Sequence, residues 1–249
     1  MVNLLLDIIT ITKNDPEGFI RTIESTRVIR ENFNVKQIIV DSSDEAVKEK
    51  IFPLLSDEKN ITYYWCKPSG RSAAFNYGLS FSDAKWVWFL NGGDRLHPNL
   101  DIENFFKLLS YNNSDAIIFQ LQYSKSLATY RHPYMWALWP PLLSWITHPS
   151  SVTQRELFKK FGLFDESLKI AMDYEFWLRC FSKNVVVDLI SIPVAVFDET
   201  GVSNILNKEI KRERIRVIRK YFWSVVKMWF LNGFIVLKAL KASSKFSKK

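Results

Sequence analysis

Short apolar runs alternate with helix-compatible stretches through the first half of the chain. That alternation restricts the fold more than any other feature. Leu4–Thr12 and Val35–Val40 are apolar and rich in β-branched residues, as buried strands are. Asp15-Pro-Glu-Gly supplies the start of a helix over Phe19–Asn32. The same reading predicts a helix at Ala46–Leu55, a strand at Ile61–Trp65, a helix at Gly70–Ser82 and a strand at Trp86–Leu90. A helix at Ile102–Leu109 and a strand at Ala116–Gln122 complete the series. Strands separated by helices must be joined by crossovers. The expected fold class is therefore α/β, with a mostly parallel sheet and flanking helices.

Beyond Tyr123 the pattern changes. Tyr130, Tyr134, Trp136, Trp139, Trp145 and a Pro-Pro pair crowd the segment before His148. Helices are expected at Arg155–Phe161 and Asp173–Phe181, a strand at Val185–Leu189 and a loop over Pro193–Asn204. A chain of 249 residues, 47% hydrophobic, accommodates one large domain with an appendage. Cys66 and Cys180 form no Cys-x-x-Cys pair, which argues against a disulfide scaffold or a thiolate zinc site and suits a reducing cytoplasm. No basic stretch precedes the first apolar run and Asp7 lies within it, so it reads as a strand rather than a secretion signal.

The net charge of +8 is unevenly spread. Residues 208–249 hold 13 Lys and Arg against 2 acidic residues, which leaves 21 basic against 24 acidic residues elsewhere. The body is mildly acidic, and a tail over 206–249 is strongly basic. On a helix, Arg216, Lys220, Lys227, Lys238, Lys241 and Lys245 fall within an arc of roughly 60°. Trp223, Trp229, Phe230 and Ile235 lie between them. A narrow cationic stripe on an apolar, Trp-bearing helix suits an anionic membrane surface. Lys227 and Lys238 oppose a spanning helix. Packing on the domain, or on a second copy in a homodimer, is the alternative. No base-reading motif accompanies the charge, so nucleic acid is not an expected partner.

Several polar residues fall where an open α/β sheet binds ligands, just past the C-terminal ends of strands. Thr10, Thr12 and Asp41 lie at the first two such ends, where they could hold a base and ribose; Asp41 equally reads as a cap for the following helix. The Gly70-Arg71 turn places a guanidinium at a helix start, suited to phosphate, with Asn76 one turn further on. Gly92-Gly93-Asp94 follows a strand with flexible backbone and a carboxylate. One such carboxylate suffices for Mg²⁺ or Mn²⁺ when phosphate and water complete the shell. Asp173 and Glu175 open a helix, where a carboxylate is either a general base or a cap. His148 and Trp145 are candidates for contacting an acceptor. No Gly-x-Ser-x-Gly or Gly-x-x-x-x-Gly-Lys-Ser/Thr is present, so hydrolase-elbow and P-loop readings lack support.

Taken together, the blocks Ile8-Ile-Thr-Ile-Thr-Lys-Asn, Ile38-Ile-Val-Asp-Ser-Ser-Asp, Gly70-Arg-Ser-Ala-Ala-Phe-Asn-Tyr-Gly, Trp88-Phe-Leu-Asn-Gly-Gly-Asp, Gly162-Leu-Phe-Asp-Glu and Ala171-Met-Asp-Tyr-Glu-Phe-Trp-Leu-Arg form a specific series. Over roughly residues 4–204 the chain resembles inverting family 2 glycosyltransferases of the GT-A fold, in particular bacterial enzymes that assemble surface polysaccharides such as O-antigen, capsule or exopolysaccharide. The resemblance implies a Rossmann-like GT-A domain over 1–205. Its 1–95 half would bind a nucleotide sugar, with a UDP-sugar as first choice, and its 96–205 half an acceptor. It implies donor contacts from Thr10, Thr12, Asp41, Arg71, Asn76 and Gly93, and a Mn²⁺ or Mg²⁺ ion on Asp94. It further implies acceptor contacts from His148, Trp145 and Glu175, and a catalytic base in Asp173. The family's acidic motif often has two carboxylates, whereas Asn91, Gly92 and Gly93 precede a single Asp94 here. Some relatives also carry a downstream histidine near the metal; none follows His148, and the Asp198-Glu-Thr-Gly201 loop is the candidate substitute.

The implied activity is a metal-dependent, hexosyltransferase-type enzyme that moves a sugar to a saccharide acceptor or one borne on a lipid diphosphate. It would work in the cytoplasm, peripherally on the inner face of the cytoplasmic membrane. The alternatives are a catalytically weak or inactive membrane scaffold of the same fold, and a sugar-nucleotide pyrophosphorylase. The latter needs a Gly-rich, Arg-containing loop after the first strand, and Thr12-Lys-Asn-Asp is not one.

Overall fold

The computed structural model describes residues 4–130, 146–183, 185–200, 207–224, 226, 227 and 230. Strand β1 (Leu6–Thr12) is buried along its whole length, its polar residues Asp7, Thr10 and Thr12 included. It pairs in parallel with β2 (Val35–Asp41) on one side and β4 (Trp86–Asn91) on the other. β3 (Ile61–Trp65) adds to β2, again in parallel. Four C-terminal strand ends therefore share one edge. Register sets Thr12 opposite Asp41, and Ile11 opposite Asn91. The chain winds outward through β2 and β3, then returns to the opposite side of β1 at β4. That reversal is a topological switch point, where the crevice of such sheets lies.

The remaining strands are β5 (Arg95–Leu96), β6 (Ala116–Tyr123), β7 (Thr129–Tyr130), β8 (Ser151–Gln154) and β9 (Val187–Phe197). They extend the sheet to the order β3-β2-β1-β4-β8-β6-β9-β5, with β7 hydrogen-bonded to β6 outside that path. β8 runs antiparallel to both β4 and β6, while β6 and β9 are parallel. The sheet is continuous from the first part of the chain into the second.

Helices cover both faces. α1 (Pro16–Asn32) begins with Pro at its first turn and with Asp15 accepting the Gly18 amide at 2.9 Å. α4 (Ile102–Tyr111) is capped by Asp101 in the same way. Because strand side chains alternate, Ile9 and Ile11 of β1 face one core and Leu6 and Ile8 the other. The first core packs α3 (Arg71–Leu79), α5 (Arg155–Phe161) and α6 (Met172–Phe181) through Phe75, Phe89, Phe158, Phe164 and Phe176. Gly78 lets α3 approach the sheet: a Cβ there would sit 2.5 Å from Ile9 Cγ2. The second core holds Trp86, Trp88, Phe105 and Phe119. The buried indoles donate to Leu109 O at 2.9 Å and Pro149 O at 3.0 Å, so neither leaves an unmade hydrogen bond.

Several elements differ from expectation, the unpredicted short strands β5 and β7 among them. The helix predicted over Ala46–Leu55 is α2 (Glu45–Ile51) followed by a 3₁₀ turn at Phe52–Leu55, where Pro53 ends the α pattern. β8 escaped notice because Ser-Val-Thr-Gln is polar, although all but its last residue are buried. Most consequential is β9, which continues through the predicted loop to Phe197. Pro193 cannot donate to the ladder, and the β6–β9 register shifts where Gln120 faces it; pairing then resumes with Leu121 against Ala195.

The basic segment also begins differently from a detached tail. α7 (Asn207–Lys220) docks on the body. Glu213 accepts the backbone amides of Lys169 at 2.8 Å, Ile170 at 3.0 Å and Ala171 at 2.8 Å. Val217 joins the first core, and Lys220 and the Tyr221 hydroxyl both donate to Glu175 Oε1. The packed body therefore runs through Tyr221, past the boundary expected at 205.

Candidate active site

Strand β4 ends at Asn91, and the turn Gly92-Gly93-Asp94 folds the chain back. Gly93 has φ +107°, and a Cβ on it would lie 2.6 Å from Asp198 Oδ2, so geometry and space both require glycine. Its amide is held by Thr22 Oγ1 at 2.8 Å and Gly18 O at 3.0 Å. The turn directs Asp94 inward, where it is 1% exposed. Asp94 Oδ2 accepts the Asn91 amide at 2.9 Å and Asn91 Nδ2 at 3.2 Å, and Oδ1 accepts the Asp198 amide at 3.0 Å. Burial pushes the Asp94 carboxyl above the usual carboxylate range, against the opposing influence of His148 and those amides.

Asp198 arrives because β5 pairs antiparallel with the end of β9. Burial alone would raise its carboxyl. Hydrogen bonds from the Thr200 amide and hydroxyl, with Arg21 3.5 Å away, more than offset this and hold it below the ordinary value. Two carboxylates in contrasting surroundings thus share one corner.

A relay joins this corner to Asp173. Asn91 Nδ2 lies 2.8 Å from His148 Nε2, and His148 Nδ1 lies 2.8 Å from Asp173 Oδ2. With a proton on Nδ1 and none on Nε2, the ring meets both contacts: it accepts from Asn91 and donates to Asp173. The His148 amide also faces Asp173 Oδ2 at 3.2 Å. His148 is buried, whereas the Asp173 side chain keeps 18% of its surface open. The result is an Asp94–Asn91–His148–Asp173 series that ends on an accessible carboxylate in the first turn of α6.

Arg71 starts α3 after Gly70, whose φ of +105° allows the turn. Its Nε and one terminal nitrogen donate to Lys169 O at 3.2 and 3.0 Å. Burial lowers the pKa of its guanidinium, while Asp173, Glu213 and Asp94 all act to raise it, so Arg71 sits amid three carboxylates. An arginine stays charged under such conditions. Arg71, His148, Asp173, Phe197, Ile210 and Arg214 line a cleft of about 200 Å³.

The other expected site residues are placed as follows. Thr12 is at the sheet edge with its buried Oγ1 unpartnered, 3.0 Å from where a Cβ on Gly92 would be. Asp41 is fully buried, accepting from the Ser43 amide at 2.8 Å and the Tyr63 hydroxyl at 2.7 Å. Thr10, Asn76 and Glu175 do not line the cleft. Thr10 is fully buried and accepts Gln37 Nε2 at 2.9 Å. Asn76 bonds Phe164 O, Glu166 Oε1 and the Phe164 amide, tying α3 to the loop before α6. Glu175, 1% exposed, binds Arg179, Lys220 and Tyr221. It lies two residues after Asp173, and so on the opposite side of the helix. Trp145 lies outside the described residues. The cleft wall from α7 went unanticipated, since Arg214 sits inside a charge run that reads as a solvated face.

Among the described residues no group of three His, Cys, Asp or Glu is placed to hold a metal. The buried Asn91 Oδ1 has no hydrogen-bond partner, while Nδ2 of the same amide donates to Asp94 Oδ2 at 3.2 Å. One carboxylate with a neighbouring unpartnered oxygen fits an ion whose other positions are filled by diphosphate and water, not a closed protein cage.

Comparison with known proteins bears on this geometry. The sequence model of the family described as Glycosyl transferase family 2 matches residues 7–176. An uncharacterized glycosyltransferase of Mycobacterium tuberculosis is 28% identical, over 80% of this chain and 77% of its own length. One from Rickettsia typhi is 30% identical over 59% of this chain, a match that spans about half (49%) of that protein. Among solved structures, S. aureus TarS 1-349 in complex with UDP superposes with a TM-score of 0.63 at 15% identity, over 78% of this chain and 60% of that one. Mannosyltransferase PcManGT from Pyrobaculum calidifontis, in complex with GDP-Man and Mn²⁺, gives a TM-score of 0.64 at 13% identity, over 100% of this chain and 76% of that one. At such identities these structures establish the fold, a GT-A-type open sheet with flanking helices.

Proposed function

The chain belongs to glycosyl transferase family 2, and on that premise we propose that it is an inverting enzyme moving a sugar from a nucleotide donor to an acceptor hydroxyl. The observation that carries this reading is the relay from buried Asp94 to accessible Asp173 through Asn91 and His148. The nucleoside diphosphate lies along the strand edge near Thr12 and Asp41, with its phosphates between Asp94 and Arg71. The acceptor oxygen attacks the anomeric carbon from the cleft, the bond to the diphosphate oxygen breaks, and Asp173 receives the acceptor's proton. His148 holds Asp173 in place, and Arg71 faces the charge that grows on the departing diphosphate. Asp94, with Asn91 Oδ1, would hold Mn²⁺ or Mg²⁺, which when bound neutralises part of that charge.

The donor is a UDP-sugar on this reading, and the acceptor a saccharide or one carried on a lipid diphosphate in surface-polysaccharide assembly. Assaying nucleoside diphosphate release from UDP-, GDP- and dTDP-sugars with Mn²⁺ tests it. Release from one donor class is expected; no release from any of them, with or without saccharide acceptors, would refute it.

Among the described residues no helix is long and apolar enough to cross a membrane. Past the docked α7, Phe222, Trp223 and Phe230 are 49%, 79% and 66% exposed. Exposed aromatics among lysines support peripheral attachment to an anionic membrane through this end of the chain. A protein ending at Tyr221 is expected to lose binding to phosphatidylglycerol-containing vesicles while keeping donor turnover. Full vesicle binding by the shortened protein contradicts the attachment.

A further inference from the structure

A second cavity lies on the face of the sheet turned away from the cleft. It measures about 650 Å³ and shares no lining residue with the cleft. Cavities of roughly 300–1,000 Å³ are the size that takes small organic ligands. Strand alternation explains the separation. Val196 and Phe197 are neighbours in β9, so their side chains leave opposite faces of the sheet; Val196 lines the cavity and Phe197 the cleft. Arg95 of β5 pairs directly with Val196 and so shares its face. Asp94, one residue earlier, belongs to the corner that meets Asp198.

The cavity wall is divided by chemistry. Val28, Leu96, Leu100, Ile102, Leu127 and Val196 make most of it apolar. Val28 and Leu127 are 42% and 67% exposed, apolar surface that an occupant covers. Leu127 has φ +54°, a conformation a bulky side chain adopts at a cost. Its amide donates to Tyr123 O at 3.1 Å and its carbonyl accepts Gln122 Nε2 at 3.1 Å, so the turn holds that leucine in place. The polar part contains His97, Gln122 and Arg95. His97 is buried, takes the Asn99 amide on Nδ1 at 3.2 Å and hydrogen-bonds the Gln122 side chain. Burial lowers its pKa, so the ring is uncharged at neutral pH. The half-buried Arg95 differs. Its guanidinium has no hydrogen-bond or ion-pair partner among the described residues, whereas Arg21 pairs with Asp198, and Arg27 and Arg30 with Glu58. No acid is among the described residues that line the cavity. A guanidinium held beside an apolar wall is costly until an anion meets it, and carboxylate or phosphate oxygens match its fork.

We propose that this cavity binds an amphipathic anion, with its carboxylate or phosphate on Arg95 and its apolar chain along Val28, Leu100 and Leu127. A fatty acid supplies the first head group and a lipid phosphate the second, and both present the same oxygens to a guanidinium. The site is separate from that of the donor's diphosphate, across the sheet from the cleft, and it stands whether or not the chain transfers a sugar.

The test is calorimetric titration of the full-length protein with octyl phosphate, octanoate, octanol and inorganic phosphate, without nucleotide or metal and with each amphiphile below its micelle concentration. Wild type is expected to bind an anionic amphiphile about tenfold or more tighter than either octanol or inorganic phosphate, because only the amphiphile uses both parts of the wall. Preference for octyl phosphate points to a lipid phosphate, and preference for octanoate to a fatty acid. Arg95→Gln is expected to reduce that binding to the level of octanol. Val28→Glu, which sets a like charge on the wall from the exposed surface of α1, is expected to weaken it as well. Lys50→Gln removes one exposed positive charge from α2 and leaves binding unchanged. Thermal unfolding reports which variants are folded; if Arg95→Gln is not, Val28→Glu decides. Wild type that binds the anionic amphiphiles no tighter than octanol or inorganic phosphate overturns the site. So does undiminished binding by a folded Arg95→Gln or Val28→Glu protein.

Discussion

Asp173→Asn lowers turnover by about 10²-fold or more while nucleoside diphosphate affinity stays within about twofold of wild type. The argument is geometric. Asp173 Oδ2 takes the Nδ1–H of His148 at 2.8 Å and the His148 amide at 3.2 Å, which orients the carboxylate without consuming its second oxygen. Asparagine has the same shape and can keep one oxygen toward His148, so the cleft wall survives. What it lacks is a group that accepts a proton at neutral pH. A base acts on the step that forms the new glycosidic bond, so kcat falls and ground-state binding does not. Near-wild-type transfer by a folded Asp173→Asn protein would show that the proton goes elsewhere.

Glu213→Gln has the second large effect, on stability and on the cleft together. One carboxylate receives three backbone amides, with Oε1 taking Lys169 and Oε2 taking Ile170 and Ala171. Glutamine offers a single acceptor oxygen and turns an NH₂ group toward an N–H. At least one buried amide then loses its partner, and the others lose a charged acceptor, at a cost of about 2–4 kcal/mol. For a chain of this length that corresponds to a fall in melting temperature of roughly 5–15 °C. The same change loosens α7, which carries Ile210 and Arg214 to the cleft wall. An unchanged melting temperature would mean that α7 is not fastened to the body through Glu213.

The parallel half of the fold was legible because its signals are local. Leu6–Thr12, Val35–Asp41 and Trp86–Asn91 are buried on both faces and so are dominated by apolar, largely β-branched or aromatic residues. Asp15 and Pro16 mark a helix start through hydrogen bonding and fixed φ, and both do so in the structure. The antiparallel half was harder to read. β8 is polar and short, and β9 is interrupted by a bulge at Pro193, so neither carries its pairing in its own residues. Missing the end of β9 obscured Asp198, which meets Asp94 only through the pairing of Arg95 with Val196.

Site residues divide along the same line. Asp94, Asp173 and Arg71 fall at a strand end or helix starts that spacing can locate, whereas His148 sits in a short turn before β8. Their mutual distances depend on packing between α3, α6 and the β4 turn. Asn76 and Glu175 show the limit of pattern: each occurs within a recognisable block, yet each is turned inward to hold the body together. In the sequence Asn91 stands as a gap in an acidic motif, whereas in the structure its amide bridges Asp94 and His148. Arg214 was hidden among neighbours of like charge, because an amphipathic basic helix looks the same whether it meets water, lipid or its own domain.

The most direct test of the account is a crystal structure of Asp173→Asn with Mn²⁺ and the nucleotide sugar that wild type turns over. Its diphosphate should lie between Asp94 and Arg71, with the anomeric carbon facing residue 173 across the cleft beside His148. A donor bound with its phosphates remote from Asp94, or with its sugar turned away from residue 173, would contradict the shared site.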